Sequence, residues 1–131
     1  MCIRDRAENW GLVSDVATLN EMATHRTRAL EMLMEAAPKL FAAQWAVVLD
    51  ADGTIVHRTE LAPEASVEAG VWGELEQSHT GRLEEGWLTG WGEAVFVLAQ
   101  APDGRCLVVG RRGPEFLPAE RQRLALLAAM A

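Results

Sequence analysis

Apolar residues recur at intervals of three and four through residues 12–40, the first third of the chain. The seam consists of Leu12, Val16, Leu19, Ala23, Arg26, Leu30, Leu33, Ala37 and Leu40. This spacing predicts one long helix, with Ser14 or Asp15 as its N-cap, which Pro38 should bend or end. The second half of this helix carries a broader apolar stripe and is predicted to pack in the core. The first half is narrow and includes Arg26, which fits an exposed helix that pairs with a second chain.

Shorter apolar runs separated by turn residues predict strands in the middle of the chain. Trp45–Leu49 and Thr54–Glu60 flank the turn residues Asp50–Gly53, so this region is predicted to be a β-hairpin. Residues 61–81 combine apolar positions at helical spacing with two glycines. We predict a loop with a short helix there.

Three further strands and a helix are predicted in the remaining sequence. The strands are Arg82–Leu88, the apolar run Glu93–Ala101, and Arg105–Gly110, which returns antiparallel to the second after a Pro-Asp-Gly turn. Pro118 opens the helix, with Glu120 placed favourably for its N-terminal dipole. Its buried side is predicted to carry Leu124, Leu127 and Ala131.

The length of 131 residues, half of them apolar, is sufficient for one compact domain. We assign that domain to residues 14–131 and expect residues 1–13 to be disordered or artefactual. The last helix meets no stop signal before Ala131, so we expect it to be truncated there.

The net charge of −7 and the composition exclude several classes of partner. Residues 50–93 carry ten acidic side chains against two arginines, a surface that would repel a phosphate backbone, so no nucleic-acid partner is expected. No apolar run approaches the about 20 residues that span a bilayer, so a cytoplasmic protein without membrane insertion is predicted. Cys2 and Cys106 do not form a disulfide framework and are interpreted as free thiols.

The strongest candidate for chemistry is Asp50-Ala51-Asp52-Gly53-Thr54, which resembles the first motif of haloacid-dehalogenase-like phosphatases. In that family the two aspartates are nucleophile and acid/base beside magnesium, with a later lysine and a second acidic pair. Here the single lysine, Lys39, precedes the motif, and a strand resumes directly after it. A tight turn is therefore the favoured interpretation, no catalytic residue is predicted, and a magnesium-dependent phosphatase fragment is kept as a minor alternative.

No metal or cofactor site is predicted, because the three histidines lack ligand spacing and a calcium loop would need glutamate where Leu61 stands. The most interesting residues for binding are aromatic side chains near loops, which can line an apolar pocket. We take Trp72, His79, Trp87 and Trp91 as ligand-pocket candidates. Ordinary core packing is the simpler interpretation of the same residues.

The end of the sequence resembles the close of a GAF domain. An apolar strand ending at Gly110 leads through a short loop to Phe116, and Glu120 follows four residues later, before a helix with Leu124 and Leu127. The chain departs from the family at Leu117-Pro118, where Ser or Thr usually caps the helix, so the cap hydrogen bond must be lost or replaced. It also lacks the Asn-Lys-x-Phe-Asp-Glu signature of cyclic-nucleotide-binding members and a cysteine placed for bilin attachment.

The resemblance implies an α+β, GAF/PAS-like fold. A central antiparallel sheet of about five strands would have long N-terminal and C-terminal helices packed on one face. It also implies a non-catalytic sensory module of a bacterial multidomain signalling protein. Such a module binds a small ligand or forms a homodimer through its terminal helices, and controls a linked output domain. The alternative is a purely structural dimerisation module that binds no ligand.

Overall fold

The computed structural model describes residues 15–62, 72–73, 75, 78–83 and 94–131. Its helices and strands occur in the following order. They are helix α1 (residues 15–24), a 3-10 turn (Arg26–Arg28), α2 (Ala29–Leu40), β1 (Trp45–Leu49), β2 (Ile55–Arg58), β3 (His79–Leu83), β4 (Ala94–Gln100), β5 (Cys106–Arg111) and α3 (Pro118–Ala129). The expectations for residues 1–13, for Ser14 and for Cys2 lie outside the described residues.

The five strands form one sheet in the order β2-β1-β5-β4-β3, and every neighbouring pair is antiparallel. The central strand β5 is buried along its whole length, as are β1 and nearly all of β4, because both faces of the sheet are covered. The predicted α+β class and five-stranded antiparallel sheet are confirmed.

Period-two alternation divides the sheet side chains between two cores. Ala46 and Val48 of β1 join a cluster with side chains of α2 and α3, including Leu33, Leu124 and Leu127. The alternate residues of β1, with their neighbours on β4 and β5, form a second cluster that contains Trp72. We call these two sides of the sheet the helix face and the aromatic face.

The prediction of a single helix over residues 12–40 is wrong, because the helix breaks at His25. The Thr24 hydroxyl donates to the carbonyl of Asn20 at 2.9 Å, a local bond that competes with regular helix geometry. Arg26, predicted on the apolar seam, is exposed and extends toward the end of α3 instead. Helix α2 then continues to Leu40, two residues beyond Pro38.

The prediction for residues 61–81 also needs correction, because His79–Leu83 is a strand. Of the strand predicted at Arg82–Leu88, only the first two residues are described, and both belong to β3. Gly81 concealed the strand, since glycine has low strand propensity. Its place is set by packing, because a Cβ there would lie 2.5 Å from Cζ of Phe96 on β4.

Helix α3 begins at Pro118 as predicted, although Leu117 offers no side-chain cap. The Glu120 carboxylate accepts a hydrogen bond from the backbone N–H of Leu117 at 2.9 Å, which supplies the carboxylate half of a capping box. The bond that a Ser or Thr side chain would accept from the first turn is therefore lost, and only this reciprocal bond is present. Leu124 and Leu127 are buried as expected, together with Ala128, while Ala131 is half-buried.

Candidate functional site

Four aromatic side chains meet on the aromatic face of the sheet. The Trp72 ring lies 6.1 Å from Trp45 and 5.5 Å from Phe96, tilted to the first and edge-on to the second. The His79 ring lies edge-on to Phe96 at 6.0 Å. Trp45 and Trp72 are fully buried and His79 is half-buried. These contacts have the geometry that aromatic quadrupoles favour, and they define what we call the aromatic cluster.

Two glycines in the sheet make room for the aromatic cluster. Gly81, Phe96, Gly110 and Trp45 pair in turn across strands β3, β4, β5 and β1. A Cβ on Gly110 would lie 2.0 Å from Cζ2 of Trp45, and one on Gly81 would meet the Phe96 ring. Each ring therefore lies against the bare backbone of the neighbouring strand, an approach that only glycine permits.

The indole nitrogens of Trp45 and Trp72 are buried donors without a hydrogen-bond partner among the described residues. An unsatisfied buried donor costs about 1–3 kcal/mol, and buried tryptophan usually finds an acceptor. Two such donors in adjacent, contacting rings mark a place where an oxygen or nitrogen acceptor would be stabilised.

Two of the four predicted pocket residues are brought together here. A ring nitrogen of His79, Nε2, lies 2.9 Å from the carbonyl oxygen of Trp72, which ties the start of β3 to the preceding segment. Trp87 and Trp91 lie outside the described residues, so their proposed role stays a prediction. Trp45 was missed as a site residue, although period-two alternation from Trp45 to Leu49 was the signal that could have placed it on this face.

The carbonyl of Leu75 holds this segment against the sheet. It accepts a hydrogen bond from Nε2 of Gln100 at 2.7 Å and from the Cys106 thiol at 3.5 Å. Cys106 is a free thiol, as predicted, and it is fully buried, which raises its pKa. A thiol in that state is a poor nucleophile at neutral pH.

The Asp50–Thr54 motif forms the predicted hairpin turn between β1 and β2. The carboxylate of Asp52 accepts the N–H of Thr54 at 3.0 Å, and that of Asp50 accepts the N–H of Ala51 at 2.7 Å. Gly53 has a φ of 89°, the left-handed conformation that glycine adopts without strain. The hydrogen bond from Thr54 lowers the pKa of Asp52. Both carboxylates thus serve turn geometry, and no group of three or more possible metal ligands occurs within the described ranges.

Arg111 was not identified from the sequence, yet it joins three parts of the chain on the helix face. It is 4% exposed, and its guanidinium makes five hydrogen bonds of 2.7–3.0 Å. The acceptors are the carbonyls of Phe41, Pro114 and Glu115 and both carboxylate oxygens of Glu120. The guanidinium carbon also lies 4.0 Å from the centroid of the Phe116 ring. Because arginine has five N–H donors, every one of them is used.

The charge of Glu120 is stabilised by the same contacts. Burial alone would raise the pKa of Glu120, but hydrogen bonds from Arg111 and Leu117, with the positive charges of Arg111 and Arg123, outweigh it and lower the pKa. The carboxylate is therefore fixed in its ionised form between the end of β5 and the first turn of α3. The spacing from Phe116 in the sequence pointed to Glu120, but nothing in the sequence pointed to its partner Arg111.

Arg123 joins α3 to both N-terminal helices. Its guanidinium binds both carboxylate oxygens of Asp15 at 2.7 and 3.0 Å and the carbonyl of Leu40 at 2.8 Å. It also lies 4.4 Å from the centroid of the Phe41 ring. The start of the described α1 and the end of α2 are thus bound to the middle of α3.

Arg26 makes the corresponding contact at the far end of α3. It donates to the carbonyls of Met130 and Ala131 at 2.8 and 3.2 Å. Since Asp15 lies beside Arg123 and Arg26 lies beside Met130, α1 and α3 run side by side in the same direction.

A pocket of about 210 Å³ opens near the start of α3, at the sheet edge formed by β3. It is lined by Thr80, Gly81, Arg82, Val95, Phe96, Glu115 and Phe116. Within this lining, Arg82 and Glu115 form an ion pair. This pocket was not predictable from the sequence, because its lining comes from three separate parts of the chain. Within the described residues, no helix is both long and apolar enough to cross a membrane.

No model of a protein family and no curated protein matches the sequence. A search of solved structures, by contrast, finds the crystal structure of a GAF domain assigned to a sensor histidine kinase of Pseudomonas syringae pv. tomato. The superposition has a TM-score of 0.60 at 14% identity and covers 97% of this chain and 86% of the other. At an identity this low, the similarity is evidence for the fold only. Together with the strand order and helices described above, the superposition shows that the chain has the fold of a GAF domain.

Proposed function

We propose that this chain is a non-catalytic sensory module of the GAF type. It binds a small ligand at the aromatic cluster and controls a linked output domain through its terminal helices. The observation that carries the proposal is the pair of buried, unpartnered indole N–H groups in contacting rings. The similar GAF domain assigned to a sensor histidine kinase supports a signalling role for this fold.

The ligand is expected to be small, largely apolar and equipped with at least one acceptor. The aromatic-face cluster contains apolar side chains and one thiol among its described members. An uncharged acceptor can satisfy an indole N–H there without the desolvation cost that a buried charge carries. Trp72 and His79 belong to this cluster, and Trp87 and Trp91 are retained as further candidates.

The route from ligand to helices is proposed to run through two adjacent residues of β5. Gly110 lies beneath the Trp45 ring on the aromatic face, and Arg111 faces the other side, where it holds the end of α2 and the start of α3. A ligand that favours one position of Trp45 over another would therefore also favour one position of this helix junction. Both terminal helices lie on the helix face in this proposal and connect to the output domain.

Tryptophan NMR tests the ligand site. The indole N–H resonances of Trp45 and Trp72 should shift when fractionated cell extract or a panel of small uncharged metabolites is added. The Trp72→Phe chain should lose the response, while Trp10→Phe, which replaces a tryptophan expected to precede the domain, should keep it. Absence of any shift across all fractions would contradict ligand sensing.

Homodimerisation through the terminal helices is a second candidate role, because α1 and α3 both carry stripes that face away from the core. On α3 the exposed residues Ala119, Gln122, Leu126 and Ala129 follow the three-four-three spacing of a coiled-coil seam. On α1 the exposed residues Val16, Asn20 and Ala23 are spaced by four and three. Two parallel helices with such stripes fit a four-helix bundle with a second copy.

Light scattering of the whole chain tests the dimer. Leu126, which is 63% exposed, is replaced by glutamate, and the matched control replaces Leu61, which is 56% exposed and lies outside the helices. We expect a dimer that Leu126→Glu dissociates and Leu61→Glu leaves intact. A monomer at high concentration for the unmodified chain would rule out self-association by these helices.

A further inference from the structure

We propose that the pocket between the β3 edge and the segment before α3 is a second binding site, for a small zwitterion with an apolar tail, such as a free amino acid. The pocket holds about 210 Å³. A cavity of about 150 Å³ accommodates benzene, so this pocket takes a molecule of about eight to ten heavy atoms. That size includes amino acids with short aliphatic side chains.

The charges at the pocket match a zwitterion. Arg82 and Glu115 line it with opposite charges, and the Thr80 hydroxyl adds a donor and acceptor. A carboxylate fits the planar fork of the arginine, and an ammonium group fits the glutamate. A ligand with only a negative charge would meet the like charge of Glu115, and one with only a positive charge would meet that of Arg82.

The existing ion pair between Arg82 and Glu115 does not prevent binding. The two side chains are 54% and 67% exposed, and ion pairs of such exposure contribute little to stability. Separating them to admit a zwitterion replaces one exposed pair by two pairs, with both new contacts in a half-enclosed pocket. The tail then lies against Val95 and Phe116, which are buried members of the helix-face cluster.

This site and the aromatic cluster lie on opposite faces of the sheet, although Phe96, a member of that cluster, also lines the pocket. Thr80 and Arg82 alternate with Gly81 along β3, so their side chains point to the helix face while Gly81 lies under the Phe96 ring. It is, however, in direct contact with the helix junction. Arg111 donates to the carbonyl of Glu115 at 3.0 Å and lies over the ring of Phe116. A bound zwitterion would therefore touch the same segment that Arg111 holds.

Calorimetric and NMR titration of the whole chain with L-leucine tests the proposal. Two analogues, 3-methylbutylamine and 4-methylpentanoate, lack the carboxylate and the ammonium group respectively. We expect saturable binding of leucine at millimolar concentration and binding weaker by about tenfold or more for each analogue, the loss expected when one charge-assisted contact is removed.

Variants separate this site from general effects. Arg82→Gln and Glu115→Gln should each weaken leucine binding by about tenfold or more. The double exchange Arg82→Glu with Glu115→Arg should restore part of the leucine affinity, since a zwitterion can bind in the opposite orientation. Arg121→Gln, an exposed arginine of α3, and Trp72→Phe should leave it unchanged. The proposal is overturned if leucine does not bind saturably, if an analogue binds as well as leucine, or if Arg82→Gln and Glu115→Gln bind normally. If the proposed ligand site at the aromatic cluster proves wrong, these expected results for leucine binding do not change.

Discussion

Arg111→Met is the substitution with the largest effect that we expect on this fold. Methionine keeps the length of the side chain but removes all five hydrogen bonds of the guanidinium. Glu120, whose side chain is 20% exposed, then loses its bidentate partner, and three backbone carbonyls lose a donor. Breaking a buried pair from one side costs about 3–5 kcal/mol because the remaining charge is uncompensated. That is a large part of the about 5–15 kcal/mol that stabilises a typical domain.

A double-mutant cycle separates the pair from simple loss of packing. Glu120→Gln removes the charge but keeps an oxygen that can accept the N–H of Leu117. Arg111→Met with Glu120→Gln should therefore be less destabilised than the sum of the single changes, by about 1–3 kcal/mol, because no uncompensated charge remains. Arg111→Lys should fall between wild type and Arg111→Met, since an ammonium group keeps the charge but cannot reach acceptors on three segments at once.

Urea unfolding followed by circular dichroism at neutral pH measures each free energy of unfolding. The control is Arg121→Met, which removes an exposed arginine of α3 and should change stability by no more than about 0.5 kcal/mol. A loss below about 1 kcal/mol for Arg111→Met, or strict additivity with Glu120→Gln, would refute the view that Arg111 holds the helix junction together.

Two further predictions concern the aromatic cluster and acid stability. Gly110→Ala should cost about 1–3 kcal/mol, since its Cβ would lie 2.0 Å from the Trp45 ring. The same change should cost clearly less in a Trp45→Val chain, and an equal cost in both backgrounds would contradict the contact. The pKa of Glu120 is lowered by folding, so its contribution is complete above the ordinary value of 4.5 and is lost as pH falls through the folded pKa. Unfolding free energy should thus decline below pH 4.5 more steeply in wild type than in Glu120→Gln, and parallel profiles would count against this assignment.

Local chemistry determined the parts of the fold that could be predicted from the sequence. The turn at Asp50–Gly53 depends on side chains that bond to their own neighbours and on a glycine at positive φ, so it is encoded within a few residues. The start of α3 at Pro118 is similar. The central strands β4 and β5 were predictable because continuous burial leaves a continuous apolar run.

The features that were missed depend on contacts between distant residues. Strand β3 contains Gly81, whose presence is explained only by the Phe96 ring on the next strand. The seam of the predicted long helix gave no sign of the break at His25, where Arg26 turns to bond the end of α3 more than a hundred residues away. Arg111 stands in a basic Arg-Arg pair that looks exposed in the sequence, and its partners come from three different segments.

The two faces of the sheet differ in how completely their polar groups are satisfied. On the helix face, every donor of Arg111 is used, so this junction has one strongly preferred arrangement. On the aromatic face, Trp45 and Trp72 each bury a donor without a partner among the described residues, so a state that satisfies them gains free energy. A ligand acts on an equilibrium only through such a difference between states. Gly110 beneath Trp45 and Arg111 at the junction are consecutive residues of one fully buried strand, so in the proposed function a change at Trp45 reaches the helix junction across a single peptide bond.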